Sequence, residues 1–498
     1  MAATLSDLLG AFLREPDPAL PPAIVALAHA ALVQDSSTRV SDAELRALLN
    51  AASTPRFLRP LSGEERYGPF ERSIRAALLR TGYSFHDLLR DREGVFSARC
   101  FLQEGDGERR SLSFAQTRTR CTAIAHALLA DPRAGNARTP RVALFTANTL
   151  EGALCDLACL AHGIFITPLS VHLDEEGLGE IFRRLDITVA IADDEDRLRR
   201  LLRMRKQQGL NFTVLSAGSE DPGESDVERF EFFVARNRER ALPGDGLAAP
   251  RRDPADYTAV ATVMFTSGST GRPKGVCFSQ MNMMSKRFAR AAALPDVGTD
   301  ETLVAYLPLF HTFGRFLELQ GMLFWGGRYV FAGNPSREAL FARMREFRPT
   351  GLISIPQRWA ELREETVRID AGRHDAMYDD AASEQSRMTA KQAAPHARGL
   401  TKVTGGRLRW GLSAAGYLAP SVFRFFHDNG VALGSGFGMT EATGGILMTP
   451  PGEYEDDSVG IPLPGIEVRL TAEGELEMRG PYVALSLPED AAVDPSSL

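Results

Sequence analysis

The sequence predicts an α/β fold in which two α/β subdomains with parallel sheets follow a helical N-terminal extension and precede a small β subdomain. Three observations carry this prediction. Strand-like and helix-like runs alternate from residue 96 onward, a second alternation begins after a Pro/Gly-rich linker near residue 250, and short alternating segments follow residue 455. Strands that alternate with helices at this spacing are typical of βαβ units.

The four predicted parts differ in composition and in the periodicity of their apolar residues. The extension is rich in Leu, Ala and Arg at helical spacing. The clearest alternation is expected to form a strand, a helix, a strand, a helix and a strand, over "RVALFTAN", "TLEGALCDLACLAHG", "IFITPLS", "DEEGLGEIFRRLD" and "ITVAIAD". The predicted limits are 1–95 for the helical extension, 96–250 for the first α/β subdomain, 251–454 for the second, and 455–498 for the start of the β subdomain.

Composition argues against several partners and locations. The 498-residue chain has a net charge of −7 and no Lys/Arg stripe interleaved with aromatics, so we expect no nucleic-acid partner. Its five cysteines form no CxxC pair, which favours a reducing cytoplasm. The longest apolar stretch is interrupted by Glu151, Asp156 and His162, so we expect no transmembrane segment. Peripheral contact with a membrane surface stays open.

A loop rich in Gly, Ser and Thr, "FTSGSTGRPKGV" at 265–276, is the strongest chemical signal. Backbone N–H groups and hydroxyls in such a loop bind an anion, and Lys274 adds a positive charge. Pro273 before Lys274 and Gly275 after it exclude a Walker loop. The expected phosphate-binding residues are Thr266, Ser267, Gly268, Ser269, Thr270, Gly271 and Lys274.

This loop resembles the phosphate loop of the adenylate-forming superfamily, which includes acyl-CoA synthetases, luciferases and nonribosomal peptide adenylation domains. Further segments similar to that superfamily follow in its order over about 96–482. They are "YLPLFHTFGR", "GLSAAGYL", "GSGFGMTEAT", "VGIPLPGIEVRL" and "GELEMRGPYV". The resemblance implies the fold of that superfamily's N-terminal core, with the ATP and acyl sites mainly in 251–454.

The resemblance also implies a reaction, in which a carboxylate attacks the α-phosphate of ATP and expels pyrophosphate. His311 is then expected beside the carboxylate, with Lys274 on the leaving phosphates and Thr440 on the α-phosphate. Glu441 is expected to ligate Mg²⁺, which makes His311, Thr440, Glu441 and Lys274 the catalytic candidates. Phe437 offers a ring for adenine stacking. The residues implied around the nucleotide are Ser413, Ala414, Ala415, Gly436, Phe437, Gly438, Met439 and Thr440.

The acyl substrate and the acceptor are less closely specified. "SIPQRWAELREE" and the apolar run after His311 resemble segments of long-chain fatty acyl-CoA synthetases, which favours a fatty acid with CoA as acceptor. One alternative is an acyl-AMP ligase that passes its product to a carrier protein. The second alternative is a non-catalytic nucleotide- or acyl-binding module. It stays open because superfamily members continue into a C-terminal catalytic domain that this chain is expected to lack.

Overall fold

The computed structural model describes most of the chain, and every statement below refers to those residues. They are residues 3–15, 17–34, 40–105, 110–131, 139–218, 226–238, 254–267, 273–370 and 398–486.

The strands form two large sheets and one separate hairpin. Their bounds are β1 Cys100–Glu104, β2 Ser111–Ser113, β3 Arg141–Phe145, β4 Phe165–Pro168, β5 Val189–Ala192, β6 Thr213–Ser216, β7 Val227–Arg229, β8 Val260–Ser267, β9 Pro273–Ser279, β10 Thr302–Ala305, β11 Arg328–Phe331, β12 Gly351–Ser354, β13 Trp410–Ser413, β14 Ala432–Met439, β15 Gly444–Met448, β16 Ile461–Pro462, β17 Glu467–Leu470, β18 Leu476–Arg479 and β19 Leu485–Ser486.

The helices surround these sheets. Their bounds are α1 Leu5–Arg14, α2 Leu20–His29, α3 Asp42–Ala52, α4 Pro55–Leu58, α5 Gly63–Glu65, α6 Glu71–Thr81, α7 Phe85–Phe96, α8 Phe114–Ala130, α9 Leu150–Ala161, α10 Glu175–Leu185, α11 Glu195–Gln208, α12 Phe230–Arg238, α13 Pro254–Thr258, α14 Gln280–Ala293, α15 Gln320–Trp325, α16 Arg337–Phe347, α17 Pro356–Asp370, α18 Arg398–Thr404 and α19 Pro420–Asp428. Wider π-helical turns cover Ala30–Gln34, Arg66–Phe70 and Phe313–Leu319, and a 3₁₀ turn covers Thr440–Ala442.

Both large sheets are mainly parallel, which confirms the predicted α/β class. The eight-stranded sheet has the order β19-β9-β8-β4-β3-β5-β6-β7, in which β9 runs antiparallel to both of its neighbours, β19 and β8. The nine-stranded sheet has the order β16-β15-β14-β13-β12-β10-β11-β1-β2, in which β2 runs antiparallel to β1, and β15 runs antiparallel to both β14 and β16. The five elements predicted between residues 141 and 193 form in the predicted order, from β3 to β5.

The chain crosses between the two sheets more often than the predicted domain limits suggest. Strands β1 and β2 pair within the nine-stranded sheet, whereas β8 and β9 extend the eight-stranded one. After residue 455, β16 and β19 each join a large sheet, and only β17 and β18 form a sheet of their own. The limits at 95, 250 and 454 therefore remain predictions.

The N-terminal region is helical, as predicted, and shares its core with the rest of the molecule. Helices α1 and α3 begin with capping boxes at Thr4 and Ser41. Buried Arg92 on α7 donates to the carbonyl of Phe324 at 2.8 Å, and the Tyr257 hydroxyl donates to the carbonyl of Tyr83 at 2.8 Å. These bonds, with one continuous apolar cluster, attach the helical region to the helices that flank the candidate site.

The apolar stretch that contains Asp156 is a buried helix, not a membrane span. All of α9 is buried between its neighbours. Within the described ranges, no helix is both long and apolar enough to cross a bilayer.

A buried ion pair joins the two sheets next to the candidate site. Arg315, in the π-helical turn, donates through Nε to both oxygens of Asp156 on α9, at 3.0 and 3.1 Å, and through Nη2 to Oδ1 at 2.6 Å. Its Nη1 donates to the Thr262 hydroxyl on β8 at 2.9 Å, and that hydroxyl donates to the Ile166 carbonyl on β4. Both charged side chains are fully buried, so the pair fixes the segment after His311 against the eight-stranded sheet.

We predict that Asp156→Ala lowers the free energy of unfolding by about 3–5 kcal/mol, because it leaves the buried Arg315 charge without a partner. Urea unfolding followed by circular dichroism measures the change. Glu195→Ala is the matched control, since Glu195 pairs with Arg199 at the surface and an exposed pair contributes less than about 1 kcal/mol. An equal, small loss in both variants would contradict this account.

Candidate functional site

The predicted phosphate loop connects two antiparallel strands. Thr266 on β8 pairs with Lys274 on β9, and Ser267 pairs with Pro273. The connecting residues Gly268, Ser269, Thr270 and Gly271 lie outside the described residues, so their contact with phosphate stays a prediction. The base of the hairpin nevertheless sets Lys274 directly across the ladder from Thr266.

Lys274 meets Glu441, which is distant in sequence. Lys274 Nζ lies 3.6 Å from Glu441 Oε1, and both side chains are partly exposed. An exposed pair of this kind stabilises a fold by less than about 1 kcal/mol. Its significance is positional, because it brings the predicted phosphate cation and the predicted metal ligand to the same place.

The turn that carries Thr440 and Glu441 is held by two later residues. Thr440 begins the 3₁₀ turn between β14 and β15, and the N–H of Thr443 donates to its carbonyl at 3.0 Å. The Thr443 hydroxyl donates to the Tyr482 carbonyl at 2.6 Å, and the N–H of Ala484 donates to the Glu441 carbonyl at 2.6 Å. Backbone groups of the segment that leads into β19 therefore stabilise this turn by hydrogen bonds.

Gly438 allows β14 and β15 to approach closely beside this turn. A Cβ atom at this position would lie 2.2 Å from the Gly444 carbonyl oxygen and 2.3 Å from the Gly445 Cα. Contacts this short do not occur, so any other residue would push the strands apart. The glycine in "GFGMTE" thus has a steric role in placing Thr440 and Glu441.

The predicted adenine-binding residues lie on neighbouring strands. Ser413, at the end of β13, pairs with Ser435 of β14, and Gly436 and Phe437 follow directly. Ala415 has a φ of +66°, a left-handed conformation that non-glycine residues seldom adopt, and such outliers concentrate at functional sites.

Around the predicted adenine site, two apolar side chains are exposed and one buried hydroxyl has no hydrogen-bond partner among the described residues. Phe437 and Met439 are about two-fifths exposed, at 42% and 41%. The buried Ser413 hydroxyl has no hydrogen-bond partner among the described residues. The structure thus places Ser413 beside the strand that carries Gly436, Phe437 and Met439 toward Thr440, and a Cβ atom on Gly436 would lie 3.5 Å from the Ala414 Cβ.

His311 lies at the start of the turn that leads to Arg315. Its N–H donates to the Pro308 carbonyl at 3.0 Å, and its carbonyl accepts from the Arg315 N–H at 3.0 Å. Only glycine fits at position 314, because a Cβ there would lie 2.4 Å from the carbonyl oxygens of Leu307 and Pro308.

His311 is exposed to solvent, although neighbouring groups surround part of it. Burial by the surrounding protein lowers the pKa of His311, which favours the neutral ring. Among the described contacts, none joins this ring to Lys274, Thr440 or Glu441.

Sequence reasoning missed two sets of charged residues near the site. The first is the Asp156–Arg315 pair. The second is a group of three buried cations on α14, namely Lys286, Arg287 and Arg290. Charged residues inside otherwise apolar runs are a weak signal for such sites, because their partners come from distant parts of the chain.

The site fits a nucleotide with its metal better than a preformed metal centre. No group of three or more His, Cys, Asp or Glu side chains within the described ranges forms a metal site. Mg²⁺ commonly binds to one or two carboxylates together with substrate phosphates and water. A lone Glu441 beside Lys274 suits that arrangement, in which phosphate oxygens complete the coordination.

Comparison with known proteins identifies the family of this chain. A family profile described as "AMP-binding enzyme" matches residues 91–486. The chain belongs to this family. That match extends from the middle of α7 to β19 and includes every site residue discussed above.

Two curated relatives are named as fatty acyl-CoA ligases or synthetases. A long-chain-fatty-acid–CoA ligase of Mycobacterium bovis is 25% identical over 370 residues, covering 69% of this chain and 58% of the relative. Fatty acyl-CoA synthetase A of Dictyostelium discoideum is 26% identical over 412 residues, covering 78% of this chain and 59% of the relative. The chain therefore spans slightly under three-fifths of the length of these relatives.

Solved structures show the same fold at lower identity. The complex of VinN with L-aspartate has a TM-score of 0.62 at 20% identity, covering 82% of this chain and 92% of VinN. A benzoate CoA ligase from Burkholderia xenovorans has a TM-score of 0.61 at 18% identity, covering 81% of this chain and 72% of the ligase. The fold is therefore that of adenylate-forming enzymes.

We predict that Gly438→Ala lowers the free energy of unfolding by about 1–3 kcal/mol, as overpacking does, and weakens ATP binding by displacing Thr440 and Glu441. Urea unfolding and isothermal titration with MgATP measure the two effects. Gly94→Ala in α7 is the matched control. A Cβ there has no neighbour within 4 Å, so this exposed helix position should gain up to about 1 kcal/mol. Unchanged stability and affinity in Gly438→Ala would contradict the steric role.

Proposed function

We propose that the chain activates a carboxylic acid with ATP to form an acyl-adenylate and pyrophosphate. The observation that carries this proposal is the convergence of Lys274 with Glu441, 3.6 Å apart, on the turn that also bears Thr440. This convergence joins an anion-binding hairpin to a carboxylate that suits Mg²⁺. Membership in the AMP-binding enzyme family supports the same chemistry.

The reaction is an in-line displacement at phosphorus. An oxygen of the substrate carboxylate forms a bond to the α-phosphorus, and the bond from that phosphorus to the bridging oxygen of the β-phosphate breaks. Pyrophosphate leaves with the electron pair of that bond. Little covalent work falls to the protein, so position and charge stabilisation carry the step.

Each site residue has a role that fits this displacement. Lys274 and the hairpin hold the leaving phosphates, Glu441 would hold Mg²⁺, and the Thr440 hydroxyl donates to the α-phosphate. Mg²⁺ supplies charge neutralisation on the phosphate oxygens when bound. Phe437 presents its exposed ring to adenine, and a neutral His311 donates a hydrogen bond toward the acid.

We further propose a fatty acid as the substrate and CoA as the acceptor. The names of the curated relatives support this choice. So does the segment after His311, where Leu317, Met322, Leu323 and Phe324 are buried and apolar. Trp359 is also fully buried and donates to the Leu412 carbonyl at 3.3 Å, so it belongs to the core that packs against β13.

The test is acid-dependent exchange between ATP and labelled pyrophosphate, with acids from acetate to palmitate. We expect exchange with the wild-type chain, and a loss of about a hundred- to a thousandfold in Glu441→Gln and Lys274→Met, because each removes a charge that stabilises the transition state. Lys402→Met is the matched control, since Lys402 is exposed on α18 away from the site, and it should retain wild-type exchange.

Two results would overturn this proposal. One is exchange that survives unchanged in Glu441→Gln and Lys274→Met. The other is a folded wild-type chain that neither binds MgATP nor exchanges pyrophosphate with any acid. Binding of MgATP without exchange would instead favour the nucleotide-binding module.

A further inference from the structure

Asn148 lies just after the carboxyl end of β3, beside the segment that leads to His311. It immediately precedes Thr149, whose side chain caps the N-terminus of α9. On its other side, the N–H of Ala147 donates to Asp193 Oδ2 at 2.9 Å. The backbone around Asn148 is therefore held on both sides, while the residue itself is partly exposed.

The side-chain amide of Asn148 joins the eight-stranded sheet to the nine-stranded one. Its Nδ2 donates to the carbonyl of Leu307, just after β10, at 3.1 Å and to the hydroxyl of Tyr329 on β11 at 2.9 Å. The Tyr329 hydroxyl donates in return to Asn148 Oδ1 at 3.2 Å. Because β10 and β11 are paired neighbours, one amide group binds to both of these adjacent parts of the second sheet.

The backbone that Asn148 binds supports the turn that carries His311. The N–H of His311 donates to the Pro308 carbonyl at 3.0 Å. The Leu307 and Pro308 carbonyl oxygens both lie 2.4 Å from the position that a Cβ on Gly314 would take, so the turn packs directly against them. A displacement of Leu307 would therefore displace the turn as well.

Helix α9 and the residues just before it hold this turn at both of its ends. Asp156 within α9 binds Arg315, which follows His311 in the chain. Asn148, just before α9, binds Leu307, which precedes His311. The turn between these two contacts keeps its position relative to the eight-stranded sheet. Because Asn148 is uncharged, its loss releases one end without leaving a buried charge unpaired.

We propose that Asn148 is a positioning residue for His311, which places the imidazole toward the acid by holding the Leu307 carbonyl. This inference rests on the proposed function, because that function assigns the acid to His311. It has a selective consequence. Loss of the Asn148 amide should weaken binding of the acid, whereas MgATP, which the Lys274 and Glu441 part of the site would bind, should be unaffected.

The test measures pyrophosphate exchange in Asn148→Ala, with the acid that the wild-type chain uses best between acetate and palmitate. We expect KM for the acid to rise roughly three- to tenfold, the size expected for one lost hydrogen bond, with an unchanged KM for MgATP. Asn148→Asp removes the donor but keeps the size of the side chain, so it should behave in the same way. Tyr329→Phe keeps the bond from Asn148 to Leu307 and should change KM for the acid much less.

Asn237→Ala is the matched control. The Asn237 amide also donates to a backbone carbonyl, that of Phe233, at 3.0 Å. It lies on α12, which packs near β7 at the outer edge of the eight-stranded sheet. This variant should keep both wild-type KM values, and thermal unfolding checks that every variant folds.

A second readout does not depend on turnover. Burial lowers the pKa of His311, so a turn that moves outward into water should return this pKa toward the ordinary value of about 6.5. NMR of ring-labelled histidine measures it, with His311→Gln to assign the signal. We expect the pKa to rise in Asn148→Ala and Asn148→Asp, and to keep its wild-type value in Asn237→Ala.

Two results would refute the inference and leave the proposed function intact. One is the same KM for the acid in Asn148→Ala, Asn148→Asp and Asn237→Ala. The other is an equal rise in KM for both substrates with an unchanged His311 pKa. If no acid supports exchange, the proposed function fails and the His311 pKa decides. A rise confined to the Asn148 variants then supports the positioning role, and an unchanged pKa refutes it.

Discussion

The buried pair between Asp156 and Arg315 is the interaction on which the candidate site most depends. It joins α9 and β8 of one sheet to the turn that follows His311, and both charges are fully buried. Such a pair contributes little net stability, because desolvation offsets attraction. The pair matters for geometry. Arg315 donates three hydrogen bonds to Asp156 and one to Thr262, and these directed bonds hold the turn after His311 in place.

The part of the site that carries Glu441 depends on backbone support. The β14–β15 connection holds Thr440 and Glu441 because Gly438 allows close approach and because Tyr482 and Ala484 bind the turn from behind. Lys286 adds donors to the carbonyls of Ala442 and Gly445. Different interactions therefore hold the two parts of the site in place. A buried ion pair holds the segment after His311, and hydrogen bonds to the β14–β15 connection hold Thr440 and Glu441.

The sequence predicted local elements and motifs well, and long-range pairing poorly. Periodicity identified β3 to β5 and the helices between them. The motifs led us to expect Lys274 and Glu441 at one site, and the structure brings them within 3.6 Å, although their roles stay predictions. The same reasoning did not show that β1 and β2 belong to the nine-stranded sheet, because pairing partners depend on contacts across hundreds of residues. It also missed the Asp156–Arg315 pair, since a single charge in an apolar run does not reveal which distant atom it meets.

The central claim is that the phosphates of ATP lie between Lys274 and Glu441. A crystal structure of this chain with Mg²⁺ and a non-hydrolysable ATP analogue tests it most directly. The account predicts that the analogue separates the two side chains, with its β- and γ-phosphates against Lys274, Mg²⁺ on Glu441 and adenine on the Phe437 ring. An analogue bound elsewhere, with the contact between Lys274 and Glu441 still closed, would contradict it.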